Sequence, residues 1–188
     1  MSTAPVQLIV GLGNPGPNYT ATRHNAGFLV LDRYVERHGG RWRRGRGGVY
    51  ANVGSLKLFK PHSFMNRSGV ATQAFMNRNR LKIEGLLIVH DDMDLPLGRL
   101  RLKRGGGAGG QKGVADITRA IGPDTLRLKV GVGRPSDGWT VERWVLSKFR
   151  SDEQDALREV LDRAAEGIDL IKRDGAELAA NRLNQAPS

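Results

Sequence analysis

No cysteine occurs among the 188 residues. Disulfides, iron–sulfur clusters, thiolate zinc sites and cysteine nucleophiles are thereby excluded, and the composition suits a reducing cytoplasm. Aromatics are scarce, with three Trp, three Tyr and five Phe, so aliphatic side chains must build most of the core. No run approaches the ~20 apolar residues that a membrane span requires, so no membrane partner is expected. The opening Met-Ser-Thr-Ala-Pro-Val has neither a basic n-region nor a long apolar h-region, so no signal peptide is expected.

Acidic residues are also in short supply. Thirty Lys and Arg against nineteen Asp and Glu give a net charge of +11. Residues 151–188 hold five basic and nine acidic residues, which leaves +15 on residues 1–150. A polyanion partner follows from this excess, with nucleic acid preferred over lipid because no basic amphipathic helix with aromatic anchors is present.

Apolar periodicity alternates between the two regular structures. Val6–Leu12, Leu86–His90 and Arg127–Val132 read as strands, and Arg99–Lys103 as a half-exposed one. Tyr50–Val53 and Leu56–Lys60 flank Gly54-Ser55 as a hairpin. Helices are expected over Asn25–His38, Gly69–Leu81, Gly113–Ile121, Asp152–Asp174 and Ala176–Leu183, with Ser151 or Asp152 capping the longest. The pattern predicts a single α/β domain over residues 1–188, with a mixed, mostly parallel twisted sheet flanked by helices. Ligands bind such sheets beyond the carboxyl ends of the strands. Polar clusters follow Leu12, Lys60, His90 and Lys103, where that rule asks for them.

Gly11, Gly13 and Gly16 in GLGNPG satisfy G-x-G-x-x-G after a strand, but the context of a dinucleotide site is wrong. Pro17 onward continues a loop instead of opening a helix, and the acid some 20 residues on, Asp32, falls inside the first helix. No cofactor is expected. Ser63 and Ser68 lack a nucleophile elbow. Neighbouring strand residues face opposite ways, so His90 and Asp91 cannot share one ion, and no metal site is expected.

What remains is His24, in a polar loop with no apolar face, together with Asn14, Asn66 and Asp91 from three other segments of the same sheet edge. A histidine titrates near neutrality, and a carboxylate on one ring nitrogen fixes the tautomer that abstracts a proton at the other. Asparagine amides orient a substrate and donate to a developing oxyanion. This set suits hydrolysis of an activated acyl bond by water.

The segments GLGNPG…TRHNAG, KPHSFMNRSG, HDDMDLPLGRLRLKRGGGAGG, VGVGRP and VLSKF resemble bacterial peptidyl-tRNA hydrolases, in the right order over nearly the whole chain. The resemblance implies a monomeric cytoplasmic enzyme that cleaves the ester between a peptide and the 3′-terminal ribose of tRNA. It implies His24 and Asp91 as the catalytic pair, with Asn14 and Asn66 as substrate-binding asparagines. Tyr19 and Lys112 are placed with these on the substrate side. Lys103 and Lys129 are implied to hold the tRNA 5′-phosphate. One departure stands out: Gly109-Gly110-Gln111-Lys112-Gly113 replaces the usual GGHNG, so a lysine, which cannot accept a hydrogen bond, stands where the family has asparagine. The glycine run 105–110 is expected to form a mobile lid, and Arg41–Arg46 with Trp42 either an RNA-binding loop or a solvated hairpin-like connection.

Overall fold

A computed structural model describes residues 4–186; the reading of residues 1–3 as lacking a signal peptide lies outside the described residues. Seven strands form one sheet: β1 (Leu8–Gly11), β2 (Arg43–Gly45), β3 (Gly48–Val53), β4 (Leu56–Pro61), β5 (Leu86–Asp92), β6 (Leu100–Arg104) and β7 (Leu126–Gly131). Their order is β2-β3-β4-β1-β5-β7-β6. The central strands β4, β1, β5 and β7 run parallel, while β2, β3 and β6 add antiparallel edges. Among the described residues, no helix is long and apolar enough to cross a membrane.

The central strands read as unbroken apolar runs because helices cover both their faces. Ile9, Leu87 and Val89 point into a core shared with α1 (Ala26–Arg37), α5 (Gln154–Asp174) and α6 (Ala176–Leu183). Leu8, Val10, Leu86 and Ile88 point the other way, against α2 (Ser68–Arg78) and α3 (Lys112–Ile121). In α1, Phe28, Leu31 and Val35 recur at helical spacing on the buried side. The helix stops at Gly39, whose φ of +64° only glycine adopts freely.

The glycines of GLGNPG serve packing. A Cβ on Gly11 would lie 2.6 Å from the Gly27 carbonyl oxygen, and one on Gly27 would lie 2.2 Å from that of Val89. The start of α1 therefore lies directly on the β1 and β5 backbones. His24 stands three residues before Gly27 and Asp91 two after Val89, so this close approach brings the two together.

Three readings of the sequence are corrected. β5 runs on to Asp92, so Asp91 sits within a strand. The longest helix is not capped by Ser151 or Asp152: a 3-10 turn at Ser151–Glu153 precedes it, and the Glu153 carboxylate accepts from the Arg150 N–H at 2.7 Å. β6 pairs antiparallel to β7, with Lys103 opposite Arg127, so its end lies at the sheet edge remote from the other polar clusters. The glycine segment 105–110 starts from a fixed base: the Gly105 N–H donates to the Thr125 carbonyl at 2.9 Å, and buried Arg127 donates to the Gly107 carbonyl at 2.9 Å. β2 pairs with β3 as a hairpin, within the stretch read as an RNA-binding loop or a solvated hairpin-like connection, whereas the short α4 (Val141–Val145) was not foreseen.

Candidate active site

A cleft of about 380 Å³ opens beyond the carboxyl ends of β1 and β5. His24 lies in its wall, within a 3-10 turn at Arg23–Asn25. Its Nδ1 is 2.9 Å from Asp91 Oδ2, with the side chains 12% and 3% exposed. The other carboxylate oxygen, Oδ1, accepts from Gln111 Nε2 at 3.0 Å. Gln111 also caps α3: its Oε1 accepts from the Val114 N–H at 2.8 Å. One buried amide thus ties the Asp91 carboxylate to a helix terminus.

The turn that carries His24 is clamped from behind. Arg23 is buried, donates to Glu153 at 2.7 and 3.2 Å, and stacks 3.8 Å from the Trp144 ring. Burial pushes the Glu153 carboxyl up, but the hydrogen bonds from Arg23 and the Arg150 N–H override it and hold it below the ordinary value. Asn25 braces the turn against the β1 loop, accepting from the Asn14 N–H at 2.8 Å and donating to the Asn14 carbonyl at 3.0 Å.

Asn14 and Asn66 both line the cleft. Asn14 is buried, and its Oδ1 accepts from the Met65 N–H at 2.8 Å, which fixes the amide so that Nδ2 is the group left to donate. Asn66 is exposed in the 3-10 turn Met65–Arg67. Lys112 lines the cleft from the first residue of α3 and is exposed. A cation there opposes the helix dipole, an arrangement that suits an anion arriving from the cleft. Tyr19 is half-buried in the preceding turn and is not among the residues lining the cleft. The cleft is also lined by apolar side chains, Phe64, Met93, Val141, Val145 and Leu146.

Lys103 and Lys129 lie outside the cleft lining, on the α3 side of β6 and β7. Lys129 Nζ pairs with Asp92 Oδ2 at 2.5 Å. Burial tends to raise the Asp92 carboxyl, and Lys129 with the Asp94 N–H pulls it below the ordinary range. Lys103 has its ammonium lowered by burial and by Lys129, Arg101 and Arg127, which marks a surface with more cation than it can neutralise. His90 is buried, and that burial pushes it down to about 4, so it is neutral at pH 7. Among the described residues, no three His, Asp or Glu side chains gather as a metal site.

Gln111, Asn25 and the Arg23–Glu153–Trp144 clamp were not identified from the sequence. The only signal for Gln111 was its place in the altered GGQKG segment. A family model for peptidyl-tRNA hydrolase matches residues 8–188. A peptidyl-tRNA hydrolase from Rubrobacter xylanophilus is 44% identical, over 93% of this chain and 98% of its own. One from Synechococcus is 43% identical, over 95% and 83%. The crystal structure of peptidyl-tRNA hydrolase from Acinetobacter baumannii superposes with a TM-score of 0.91 at 35% identity, covering 99% of this chain and 98% of that one. The chain belongs to the peptidyl-tRNA hydrolase family.

Proposed function

We propose that the chain hydrolyses the peptidyl-tRNA ester by direct attack of a water that His24 deprotonates. The observation that carries this reading is the 2.9 Å contact of His24 Nδ1 with Asp91 at the cleft wall. Asp91 accepts the Nδ1 proton, so the Nε2 lone pair faces the substrate side and takes a proton from water. The hydroxide adds to the ester carbonyl. The oxyanion that forms receives hydrogen bonds from Asn14 Nδ2, Asn66 and the Lys112 ammonium. Collapse breaks the bond to the ribose oxygen, and the His24 imidazolium returns its proton to that leaving group. Neither a metal ion nor a covalent intermediate enters this sequence. Tyr19 belongs to the outer substrate surface, one turn before His24.

Lys103 and Lys129 hold the terminal phosphate of the tRNA. An ammonium has three donors, so Lys129 can keep Asp92 while it binds a phosphate oxygen. In this reading the enzyme acts as a cytoplasmic monomer, as the resemblance implies. The test is release of peptide from purified peptidyl-tRNA, repeated after chelation with the tRNA refolded separately. Full activity without divalent ions supports the scheme. Loss that only a metal restores, with the tRNA intact, overturns it.

A further inference from the structure

The β2–β3 hairpin takes no part in the scheme above, yet four of the six residues from Arg41 to Arg46 are arginines. Arg41, Arg43, Arg44 and Arg46 are all exposed. Among the described residues none of the four joins an ion pair, so all four charges are open to a partner. Arg78, at the end of α2, donates to the Arg46 carbonyl at 2.8 Å and so adds a further cation beside the turn.

The tip is built rather than loose. The His62 N–H donates to the Gly47 carbonyl at 2.9 Å, and Trp42 lies half-buried with Lys60 Nζ 4.3 Å over its ring. A Cβ on Gly48 would lie 2.2 Å from the Lys60 carbonyl oxygen, so the hairpin packs straight onto β4. Between the turn and His62 lies an open cavity of about 410 Å³, walled by Arg44, Gly45, Gly47, Gly48 and Val49. Burial, with Lys60 and Arg44 alongside, holds His62 below its ordinary value, as a site crowded with cations should.

Its position matters as much as its charge. Gly48 pairs with Pro61 at the end of β4, and the chain then passes through His62 to Asn66, so the turn sits on the catalytic edge of the sheet. β2 lies four strands from β5, about 19 Å at ordinary strand spacing. Lys103 and Lys129 lie on the other side of β5.

We propose that this hairpin is a second contact for the phosphate backbone of the tRNA, flanking the ester cleft opposite the lysines. The proposal rests on the peptidyl-tRNA reading above. Guanidinium groups suit phosphate oxygens bidentately, and arginines spaced along a turn match a partner whose charges are themselves spaced. Among the described residues, none of the exposed large hydrophobics lies on the hairpin itself.

The test is the triple variant Arg43→Ala/Arg44→Ala/Arg46→Ala, which breaks no ion pair. KM and kcat are measured across a salt series on full peptidyl-tRNA and on a peptidyl-nucleoside ester. Binding of deacylated tRNA is measured alongside. Two or three lost phosphate contacts should raise KM for the full substrate about tenfold at low salt and flatten the slope of log KM against log salt by ~2. The nucleoside ester and kcat should be unaffected, and lysine at the three positions should restore most of the affinity. Unchanged tRNA affinity and salt slope would overturn the proposal, as would equal loss on both substrates. Weakened binding to anionic phospholipid vesicles with tRNA affinity intact would assign the hairpin to a membrane instead. If the wild-type chain binds tRNA but releases no peptide, the hydrolase reading fails while the binding comparison still decides the hairpin.

Discussion

Gln111 offers the sharpest test of how the Asp91 carboxylate is held, because its amide does two separable things. Oε1 caps α3 and Nε2 donates to Asp91. Gln111→Ser keeps a good N-cap oxygen but is too short to reach Asp91, whereas Gln111→Ala removes both. A hydrogen bond to a charged group is worth about 1.5–3 kcal/mol. If that orientation is needed while His24 carries charge, its loss lowers kcat roughly 10- to 150-fold. The cap is worth about 1 kcal/mol, or roughly 2–4 °C in Tm for a chain of this size. Both variants should therefore show the same drop in kcat on peptidyl-tRNA, with little change in KM, and only the alanine variant should melt measurably lower. Wild-type turnover in Gln111→Ser would refute the argument that Gln111 positions the carboxylate. So would a loss confined to Gln111→Ala, which would trace the whole effect to the helix.

Three further outcomes are expected. His24→Ala should fold normally and lose ~10²–10⁴ in kcat, the usual worth of a positioned base; wild-type turnover on peptidyl-tRNA would put the base elsewhere. Replacing Lys103 or Lys129 by alanine should raise KM for full peptidyl-tRNA, reduce its salt dependence and spare kcat, while a peptidyl-nucleoside ester notices nothing; equal kcat loss on both substrates would move these lysines into the chemistry. Glu153 has its carboxyl held below the ordinary 4.5 in the fold, so its contribution to stability is complete above that value and is lost as pH falls through the lowered one. Thermal melts from pH 6 downward should show this decline in the wild type and a shallower one in Glu153→Gln; identical slopes would mean the Arg23 clamp contributes nothing through charge.

The central sheet was legible because a strand buried on both faces has to be apolar throughout, as in Leu8–Gly11 and Leu86–Val89. β2 was not, because its three residues are all exposed and two are arginines; only pairing with β3 makes it a strand. The five residues of α4 are too few to show a period. His24, Asp91, Asn14 and Asn66 could be singled out because polar residues with no local task flank the strands. Their supports could not. Gln111 meets Asp91 across 20 positions and Arg23 meets Glu153 across 130, and an arginine buried against Trp144 reads in sequence like any surface arginine. The resemblance pointed to Lys103 and Lys129 together, and only the folded sheet reveals that Asp92 already pairs with Lys129.

The charge imbalance is explained by where the acids go. Much of the acid in the C-terminal region is spent on the face that carries α1: Asp162 pairs with Arg33, Glu166 with Arg37, and Glu153 with Arg23. The exposed pairs among these are worth little individually, but together they neutralise the basic residues of α1 and of the turn that carries His24. Among the described residues no comparable acidic helix covers the other face, where Asp92 pairs with Lys129 and Asp124 with Arg104 while Lys103 and Arg101 stand beside them. Part of the net +15 of residues 1–150 therefore sits away from the helical back of the molecule, on the β6–β7 surface and the β2–β3 hairpin. These are the two places that flank the cleft. A polyanion attracted by the field of the whole chain meets positive charge on either side of His24 and neutralised charge behind it, so orientation begins before contact.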